Sequence, residues 1–320
     1  MIQSIVRRAI ETGKGCSREE ALALSRLDEA ELFAGATRLR EAFFGRFVRF
    51  CAILNAKSGR CDMNCAFCSQ SASADTSIET YPLLPEKRLV QGLRELMATD
   101  DCRASLVTGG GKLSDDDVRR VANVARTLSP APLCASLGRL SREALGELLA
   151  AGIARFHHNL ETSERFYPEI CTTQSWRERR KVVETARAVG LDVCSGGLFG
   201  LGETWEDRID LALVLRDLGV DSVPINFLYA HPGTRLADLP PLSPEEALRI
   251  VALYRFLLPN VTLRICGGRL HVLAERQIDL FAAGANGLMT GNYLTVSGSQ
   301  YETDRRLVRD AGLTIDPKAP

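Results

Sequence analysis

From residue 49 onward, short apolar stretches alternate with longer amphipathic ones, and this alternation constrains the fold more than any other feature of the sequence. Short apolar runs predict buried strands, whereas apolar residues spaced three or four apart predict helices. Glycines such as Gly152 and Gly190 follow predicted helices and precede predicted strands, as helix-ending glycines do. Eight such units over roughly 240 residues predict an α/β fold of the (β/α)8 TIM-barrel type, with a doubly wound open sheet as the alternative.

A helical leader precedes the predicted barrel. Ser17 with Glu20 resembles a capping box, and Asp28 is a suitable N-cap for a further helix. The predicted strands are 50–55, 104–108, 133–137, 155–160, 193–198, 222–228, 262–266 and 287–289. We divide the chain into an N-terminal helical extension at 1–45, a barrel at 46–300 and a C-terminal tail at 301–320, with a disordered end at 317–320.

Composition excludes several classes of function. Lys plus Arg and Asp plus Glu number 40 each, so no general electrostatic attraction to nucleic acid or to an anionic membrane is expected. The N-terminus lacks the apolar core of a signal peptide, and no apolar run reaches the roughly 18 residues of a transmembrane helix. The ten cysteines therefore indicate metal sites or reduced thiols in a cytoplasmic protein. We predict that Cys16, Cys51 and Cys171 are ordinary packed thiols.

Cys61, Cys65 and Cys68 stand close together after the first predicted strand. Three thiolates can hold three irons of a [4Fe-4S] cluster and leave the fourth iron open to a small molecule. Zinc sites favour paired Cys-x-x-Cys sets, and four-cysteine ferredoxin runs close every iron. The spacing resembles that of the radical S-adenosylmethionine (SAM) superfamily, whose fourth iron binds SAM. A loop at the carboxyl end of a strand is also where barrel enzymes place their active sites.

The predicted strands carry an unusual set of polar residues. They are Cys134, His157, Asn159, Cys194, Asn226, Arg264 and Cys266. Barrel interiors are normally filled with apolar residues, and an unpaired buried polar group costs about 1–3 kcal/mol, so the set predicts a ligand or cofactor inside the barrel. Because alternate strands supply one interior layer, Cys134, Cys194 and Cys266 are expected at similar depth around a second iron–sulfur cluster.

Several further segments resemble the biotin synthases. The matching segments are 57–59, 79–84, 133–138, 158–163, 194–197, 200–203, 223–228 and 284–286, together with the strand that carries Arg264. The resemblance implies conversion of dethiobiotin to biotin, in which SAM is cleaved to methionine and a 5′-deoxyadenosyl radical and an auxiliary iron–sulfur cluster donates the sulfur. Such chemistry at unactivated carbons needs cofactors, because acid–base groups cannot perform it.

The resemblance also implies roles for individual residues. Phe67 would lie beside the adenine of SAM, and Thr108, Gly109 and Gly110 would bind the methionyl amine. Glu161 would bind the ribose hydroxyls, and Arg179 would order the SAM carboxylate. Asn159 and Asn226 would hold dethiobiotin, with Asn159 near SAM as well.

The sequence departs from the familiar biotin synthases at the auxiliary cluster. Those enzymes use cysteines on strands 2, 3 and 5 with an arginine on strand 7, but here Leu106 aligns with the strand-2 cysteine and Cys102 lies four residues earlier. We favour a four-iron cluster on Cys134, Cys194 and Cys266, whose fourth iron carries an extra sulfide. A [2Fe-2S] cluster with Cys266 as the replacement ligand comes second, and recruitment of Cys102 comes third. Arg264 would be a ligand or a neighbour of this cluster.

Expected partners follow from the same resemblance. They are dethiobiotin, a reducing flavodoxin or ferredoxin and the iron–sulfur assembly machinery; the oligomeric state, including a homodimer, stays open. Two alternatives remain at this point: a hydrogenase-maturation or methylornithine-synthase type of radical SAM enzyme, and a non-catalytic electron-transfer protein.

Overall fold

A computed structural model describes residues 1–99 and 101–316. Three helices precede the barrel: α1 (Ile2–Thr12), α2 (Arg18–Leu24) and α3 (Glu29–Phe44). The Ser17 hydroxyl accepts a hydrogen bond from the Glu20 backbone N–H in a reciprocal capping box, and Asp28 caps α3. Both predicted helix starts are therefore confirmed. The end predicted to be disordered, 317–320, lies outside the described residues.

A closed parallel barrel forms the body of the molecule. Its strands are β1 (Phe47–Lys57), β2 (Cys102–Thr108), β3 (Leu133–Ser136), β4 (Ile153–His157), β5 (Asp192–Cys194), β6 (Gly197–Phe199), β7 (Ser222–Phe227), β8 (Thr262–Ile265) and β9 (Gly287–Met289). Neighbouring strands are parallel, and β1 pairs with both β2 and β9, which closes the sheet. The predicted TIM-type barrel is confirmed.

Helices cover the outside of the barrel between successive strands. They are α4 (Glu86–Leu96), α5 (Asp115–Leu128), α6 (Arg142–Ala150), α7 (Tyr167–Ile170), α8 (Trp176–Ala188), α9 (Trp205–Asp217), α10 (Pro244–Leu257), α11 (Arg269–Leu273), a 3-10 turn (Ala274–Ile278) and α12 (Asp279–Ala282). Between β8 and β9 the chain therefore forms three short helical pieces rather than one continuous helix. Within the described residues, no helix is both long enough and apolar enough to cross a membrane.

The fifth barrel position is the one predicted strand that the fold divides. Residues 195 and 196 interrupt the predicted strand 193–198 and leave the short strands β5 and β6. A Cβ atom on Gly196 would lie 2.0 Å from the carbonyl oxygen of Pro224, and one on Gly197 would lie 2.6 Å from that of Glu161. The break therefore lets the chain pass unusually close to β7 and to the loop after β4.

The C-terminal segment packs against the amino end of β1. Helix α13 (Tyr301–Asp310) leads to β10 (Thr314–Ile315), which pairs in parallel with the first residues of β1. Arg269 and Asp304 form an ion pair whose side chains are 0% and 1% exposed, and Ser299 donates a hydrogen bond to the same carboxylate. Strand β10 was not predicted. The division of the chain at 45 and 300 stays a prediction.

Candidate active site

A cavity of about 710 Å³ opens at the carboxyl end of the barrel. Its wall includes all the predicted site residues: Cys61, Cys65, Phe67, Cys68, Thr108, Gly109, Gly110, Cys134, Asn159, Glu161, Arg179, Cys194, Asn226, Arg264 and Cys266. A wider groove of about 1030 Å³ lies at the opposite end, between the leader helices and the loops that enter β7 and β8. None of the predicted site residues lines that groove, so the carboxyl-end cavity is the candidate active site.

Backbone hydrogen bonds fold the three-cysteine loop into a fixed shape. The Cys61 N–H donates to the Gln70 carbonyl at 2.9 Å, and the Cys68 N–H donates to the Cys65 carbonyl at 3.1 Å. The Ala66 N–H donates at 2.8 Å to the carbonyl of Ile170, which anchors the loop to the end of α7. All three thiols of this loop line the cavity.

The surroundings of these thiols suit cluster ligands. Burial raises the pKa of Cys61, and burial raises the pKa of Cys68 to about 11, although backbone N–H groups around both sulfurs favour the thiolate. Hydrogen bonds to cysteine sulfurs are a normal feature of iron–sulfur sites. In the described part of the chain, no three Cys, His, Asp or Glu side chains lie close enough to share a single metal ion.

The glycine run after β2 packs against the cysteine loop. A Cβ atom on Gly109 would lie 2.2 Å from Gln70 Oε1, which accepts a hydrogen bond from the Gly59 N–H at 2.9 Å. Gly109 is therefore needed for close approach, whatever its role toward a ligand. The neighbouring Thr108 hydroxyl is buried and has no hydrogen-bond partner, so it is available to a bound molecule.

Glu161 and Arg179 form a partly buried pair at the cavity wall. Their side chains are each 12% exposed, and Arg179 Nη2 donates to Glu161 Oε1 at 3.0 Å. Burial lowers the pKa of Arg179, but Glu161, Tyr167 and Cys65 together more than offset this effect, so the pKa is raised. Glu161 has a φ of 70°, which is strained for a residue with a side chain and is typical of functional sites.

The two asparagines are already partly hydrogen-bonded. The Asn159 side chain accepts from the Gly196 N–H at 3.1 Å and donates to Glu161 at 3.3 Å. The Asn226 side chain accepts from the Gly267 N–H at 3.0 Å and donates to the Gly197 carbonyl at 3.1 Å. A primary amide has two donors and two lone pairs. Each residue is therefore fixed in orientation and keeps one donor and one lone pair.

Two arginines inside the barrel were missed in the sequence analysis. Arg103 Nη1 lies 3.7 Å from Cys134 Sγ, and Arg155 pairs with Asp192 at 3.2 Å. The Nε atoms of both arginines are buried and have no hydrogen-bond partner. Alternation along the strands could have found them, since Arg103 and Ser105 share one face of β2. They place positive charge on the strands on either side of Cys134.

Histidine and cysteine meet on the neighbouring strands β4 and β5. His157 Nδ1 lies 3.4 Å from Cys194 Sγ. Burial lowers the pKa of His157 to about 4, so its ring is neutral near pH 7. A neutral imidazole can support a thiol by hydrogen bonding without adding charge.

The cysteines predicted to be ordinary packed thiols fall into two groups. Cys16 is buried near the groove at the amino end, away from the active site. Cys171 lies next to Cys65, behind the cysteine loop. Cys51, in contrast, lines the cavity within hydrogen-bonding reach of the Arg264 guanidinium. The prediction that Cys51 is an ordinary core thiol is therefore wrong: its position on β1 makes it face the barrel interior.

Strand β2 contributes no thiol to the cavity. Arg103 and Ser105 line the cavity, whereas Cys102 and Leu106 lie on the opposite face, in the apolar core. Side chains alternate between the two faces of a strand, so this arrangement follows from the register. The sequence alignment placed Leu106 at the position of the strand-2 cysteine ligand. In the structure, Ser105 is the β2 residue that pairs with Cys134 and faces the cavity.

Comparison with known families agrees with this geometry. Residues 56–215 match the Radical SAM superfamily, and residues 224–314 match the Biotin and Thiamin Synthesis associated domain. The barrel and its cysteine loop are thus those of a radical SAM protein.

Similarity to individual proteins shows which family of radical SAM proteins this chain belongs to. The chain is 52% identical to the biotin synthase of Desulfovibrio desulfuricans, over 93% of this chain and 95% of that protein. It is 47% identical to the biotin synthase of Trichlorobacter lovleyi, over 95% of this chain and 93% of that protein. The chain belongs to the biotin synthase family.

Solved structures share the fold at much lower identity. Methylornithine synthase has a TM-score of 0.85 at 19% identity, with 98% of both chains covered. The hydrogenase maturase HydG of Carboxydothermus hydrogenoformans has a TM-score of 0.80 at 18% identity, with 98% of this chain and 78% of that chain covered. These likenesses concern the barrel alone.

Proposed function

We propose that this chain converts dethiobiotin to biotin by inserting sulfur between two unactivated carbons. The main support is that two separate groups of thiols line one cavity. We call Cys61, Cys65 and Cys68 the loop thiols. We call Cys134, Cys194 and Cys266 the barrel thiols. A sulfur-inserting enzyme needs one centre that generates a radical and another that supplies sulfur. Membership of the biotin synthase family supports the choice of substrate.

The loop thiols would hold the [4Fe-4S] cluster that binds SAM. Together, this cluster and SAM supply the one-electron chemistry that breaks an unactivated C–H bond. The protein's own part is to bind and orient. Glu161 presents a carboxylate suited to ribose hydroxyls, and Arg179 presents a guanidinium suited to the SAM carboxylate. Phe67 on the cavity wall offers an aromatic face to adenine.

Asn159 and Asn226 would hold the ureido ring of dethiobiotin. Each amide keeps one donor and one lone pair after its hydrogen bonds to the protein, which suits a ring that both donates and accepts. Their existing bonds fix both amides in place, so little rotational freedom is lost on binding. The Thr108 hydroxyl and the backbone of Gly109 and Gly110 would bind the methionyl end of SAM.

The barrel thiols would hold the auxiliary cluster, which supplies the sulfur. Arg264 lies among these thiols: burial would lower its pKa, but the surrounding thiols, led by Cys51 and Cys194, raise it. Arg103 adds positive charge beside Cys134. This cationic surrounding suits an anionic iron–sulfur cluster. A four-iron cluster is our first choice and a [2Fe-2S] cluster the second.

The remaining partners rest on family membership. A reducing flavodoxin or ferredoxin would deliver electrons, and iron–sulfur assembly proteins would load both clusters in the cytoplasm. A homodimer is compatible with the cavity, which a single chain lines.

Anaerobic reconstitution tests the proposal. Protein loaded with iron and sulfide is incubated with dithionite, SAM and dethiobiotin, and biotin and 5′-deoxyadenosine are quantified. We expect both products, and neither from the Cys61→Ala variant. SAM cleavage that dethiobiotin neither stimulates nor converts into biotin would contradict the proposal and favour a different radical SAM reaction.

A further inference from the structure

We propose that Cys51 on β1 is the fourth thiol ligand of the auxiliary cluster. The inference rests on the proposed function, because it presupposes a cluster among the barrel thiols. It follows from the strand register and from the contacts of Cys51.

Strand pairing places Cys51 in one interior layer with Cys134, Cys194 and Arg264. In a TIM barrel, four alternate strands supply each layer, and the pairing shifts by two residues from one contributing strand to the next. Two neighbouring members of a layer are connected by the strand between them, which pairs with one member through one residue and with the other member through a second residue. Between β5 and β3, the β4 residues His157 and Arg155 pair with Cys194 and Cys134, respectively. Between β3 and β1, the β2 residues Ser105 and Arg103 pair with Cys134 and Cys51. Between β1 and β8, the β9 residues Met289 and Gly287 pair with Cys51 and Arg264, and between β8 and β5 the β7 residues Pro224 and Ser222 pair with Arg264 and Cys194.

Every step around the barrel shifts by the same amount. On each of the four intervening strands, the two paired residues are two positions apart. Four such shifts make eight, the shear number of a TIM barrel, so the path closes on itself. All four members of the layer line the cavity. Cys51 therefore lies at the same depth as Cys134 and Cys194.

Cys266 occupies the next layer. It lies two residues beyond Arg264, toward the carboxyl end, so the expectation of similar depth for Cys134, Cys194 and Cys266 is wrong. Three thiols in one layer and a fourth one layer above form a polyhedral set rather than a flat one. Such a set suits a four-iron cluster better than a two-iron cluster.

The contacts of Cys51 agree with this placement. Arg264 reaches across β9 to donate a hydrogen bond to the Arg49 carbonyl at 3.1 Å, which brings its guanidinium beside Cys51. Burial raises the pKa of the Cys51 thiol, and Arg264 opposes the rise. Arg103, the register partner of Cys51 on β2, is 4% exposed and has an unpartnered Nε. Unpaired cationic groups inside a barrel point to an anionic ligand.

Iron content of a simplified protein tests the inference. A Cys61→Ala/Cys65→Ala/Cys68→Ala variant removes the loop thiols, so any cluster that remains belongs to the barrel. We expect about four irons per chain in this background after anaerobic reconstitution. Adding Cys51→Ser should lower the iron content at least about tenfold or change the Mössbauer spectrum of the cluster. Unchanged iron and an unchanged spectrum would overturn the proposal.

Cys102→Ser is the matched control, since Cys102 lies on the adjacent strand and faces the apolar core. It should keep the iron content of its background. Circular dichroism of each variant detects misfolding. Alkylation of the unmutated chain gives a second measurement that needs no variant. Cys51 should be protected in cluster-loaded protein and modified after chelation; equal modification in both states would contradict the assignment.

These outcomes are distinct from failure of the proposed function. Absence of biotin from the unmutated protein would refute sulfur insertion but leave the iron content of the Cys51 variant to decide the ligand. If the unmutated protein forms biotin and the Cys51 variant keeps all its iron, Cys51 is not a cluster ligand, and the proposed sulfur insertion is unaffected.

Discussion

The two thiol groups of this molecule are built in opposite ways. The loop thiols Cys61, Cys65 and Cys68 lie within eight residues and are held together by local backbone hydrogen bonds. The barrel thiols Cys134, Cys194 and Cys266, together with Cys51, come from four separate strands or strand ends and meet only because the sheet closes. A site made by one loop is readable from spacing, whereas a site made by a closed barrel depends on register. Cys51 was missed because its direction depends on strand register, which spacing along the sequence does not show.

Removing a loop thiol should have the largest effect and separates the two groups most sharply. Cys61→Ala should abolish 5′-deoxyadenosine formation, because the SAM-binding cluster loses one of its three protein ligands. Iron bound by the barrel thiols should remain, since they share no backbone segment with the loop. Anaerobic product analysis with iron counting checks both points. Normal 5′-deoxyadenosine yield would remove these cysteines from the radical centre.

Removing a barrel thiol should uncouple the two centres. Cys266→Ser should lower biotin yield at least about 10–100-fold, since even outer partners of a metal site change its affinity by that much. Some SAM cleavage should continue because the loop is untouched. Cys102→Ser is the control and should keep its biotin yield. The opposite ranking, with Cys102→Ser losing the auxiliary cluster and Cys266→Ser keeping it, would show that the register of β2 is wrong.

The amides between the two groups should contribute to substrate binding. Asn159→Ala and Asn226→Ala should each weaken dethiobiotin binding by about 1–3 kcal/mol, or about 5- to 150-fold in Kd. Calorimetry on SAM-loaded protein measures the change. Each asparagine also bonds the backbone, so the melting temperature is recorded alongside. An unchanged Kd in both variants would exclude these residues from the substrate pocket.

The smallest effect on activity is expected from the packing that supports the loop. Gly109→Ala would place a Cβ atom 2.2 Å from Gln70 Oε1 and should cost about 1–3 kcal/mol of unfolding free energy through overpacking. Gly146→Ala is the matched control: it lies in α6 with no atom within 4 Å, and should stabilise by about 0.5–1 kcal/mol. Urea unfolding compares them. Equal stability of the two variants would contradict a packing role for Gly109.

Local sequence signals predicted most of the fold. The capping residues Ser17 and Asp28 and the barrel strands are where the patterns indicated. The break between β5 and β6 was missed because it depends on the close approach of Gly196 to Pro224, a contact between distant residues. Strand β10 was missed because two residues carry no periodicity.

The candidate site was predictable to a different degree in its two parts. The loop thiols were identified from spacing and the pocket residues from family resemblance. Arg103 and Cys51 were missed because a residue's direction in a barrel strand depends on which face the neighbouring strands bury. Cys51 became interpretable only when pairing of β9 with β1 closed the layer that also contains Arg264.

We propose that one barrel holds two independent iron–sulfur sites, and counting iron tests this directly. Iron per chain is measured in three anaerobically reconstituted proteins: the unmutated chain, a variant without the three loop thiols, and a variant without Cys51, Cys134, Cys194 and Cys266. We expect each variant to keep iron, with its own Mössbauer spectrum, and the two amounts to add up to the iron of the unmutated protein. Loss of all iron on removal of either group, or no loss at all, would contradict it.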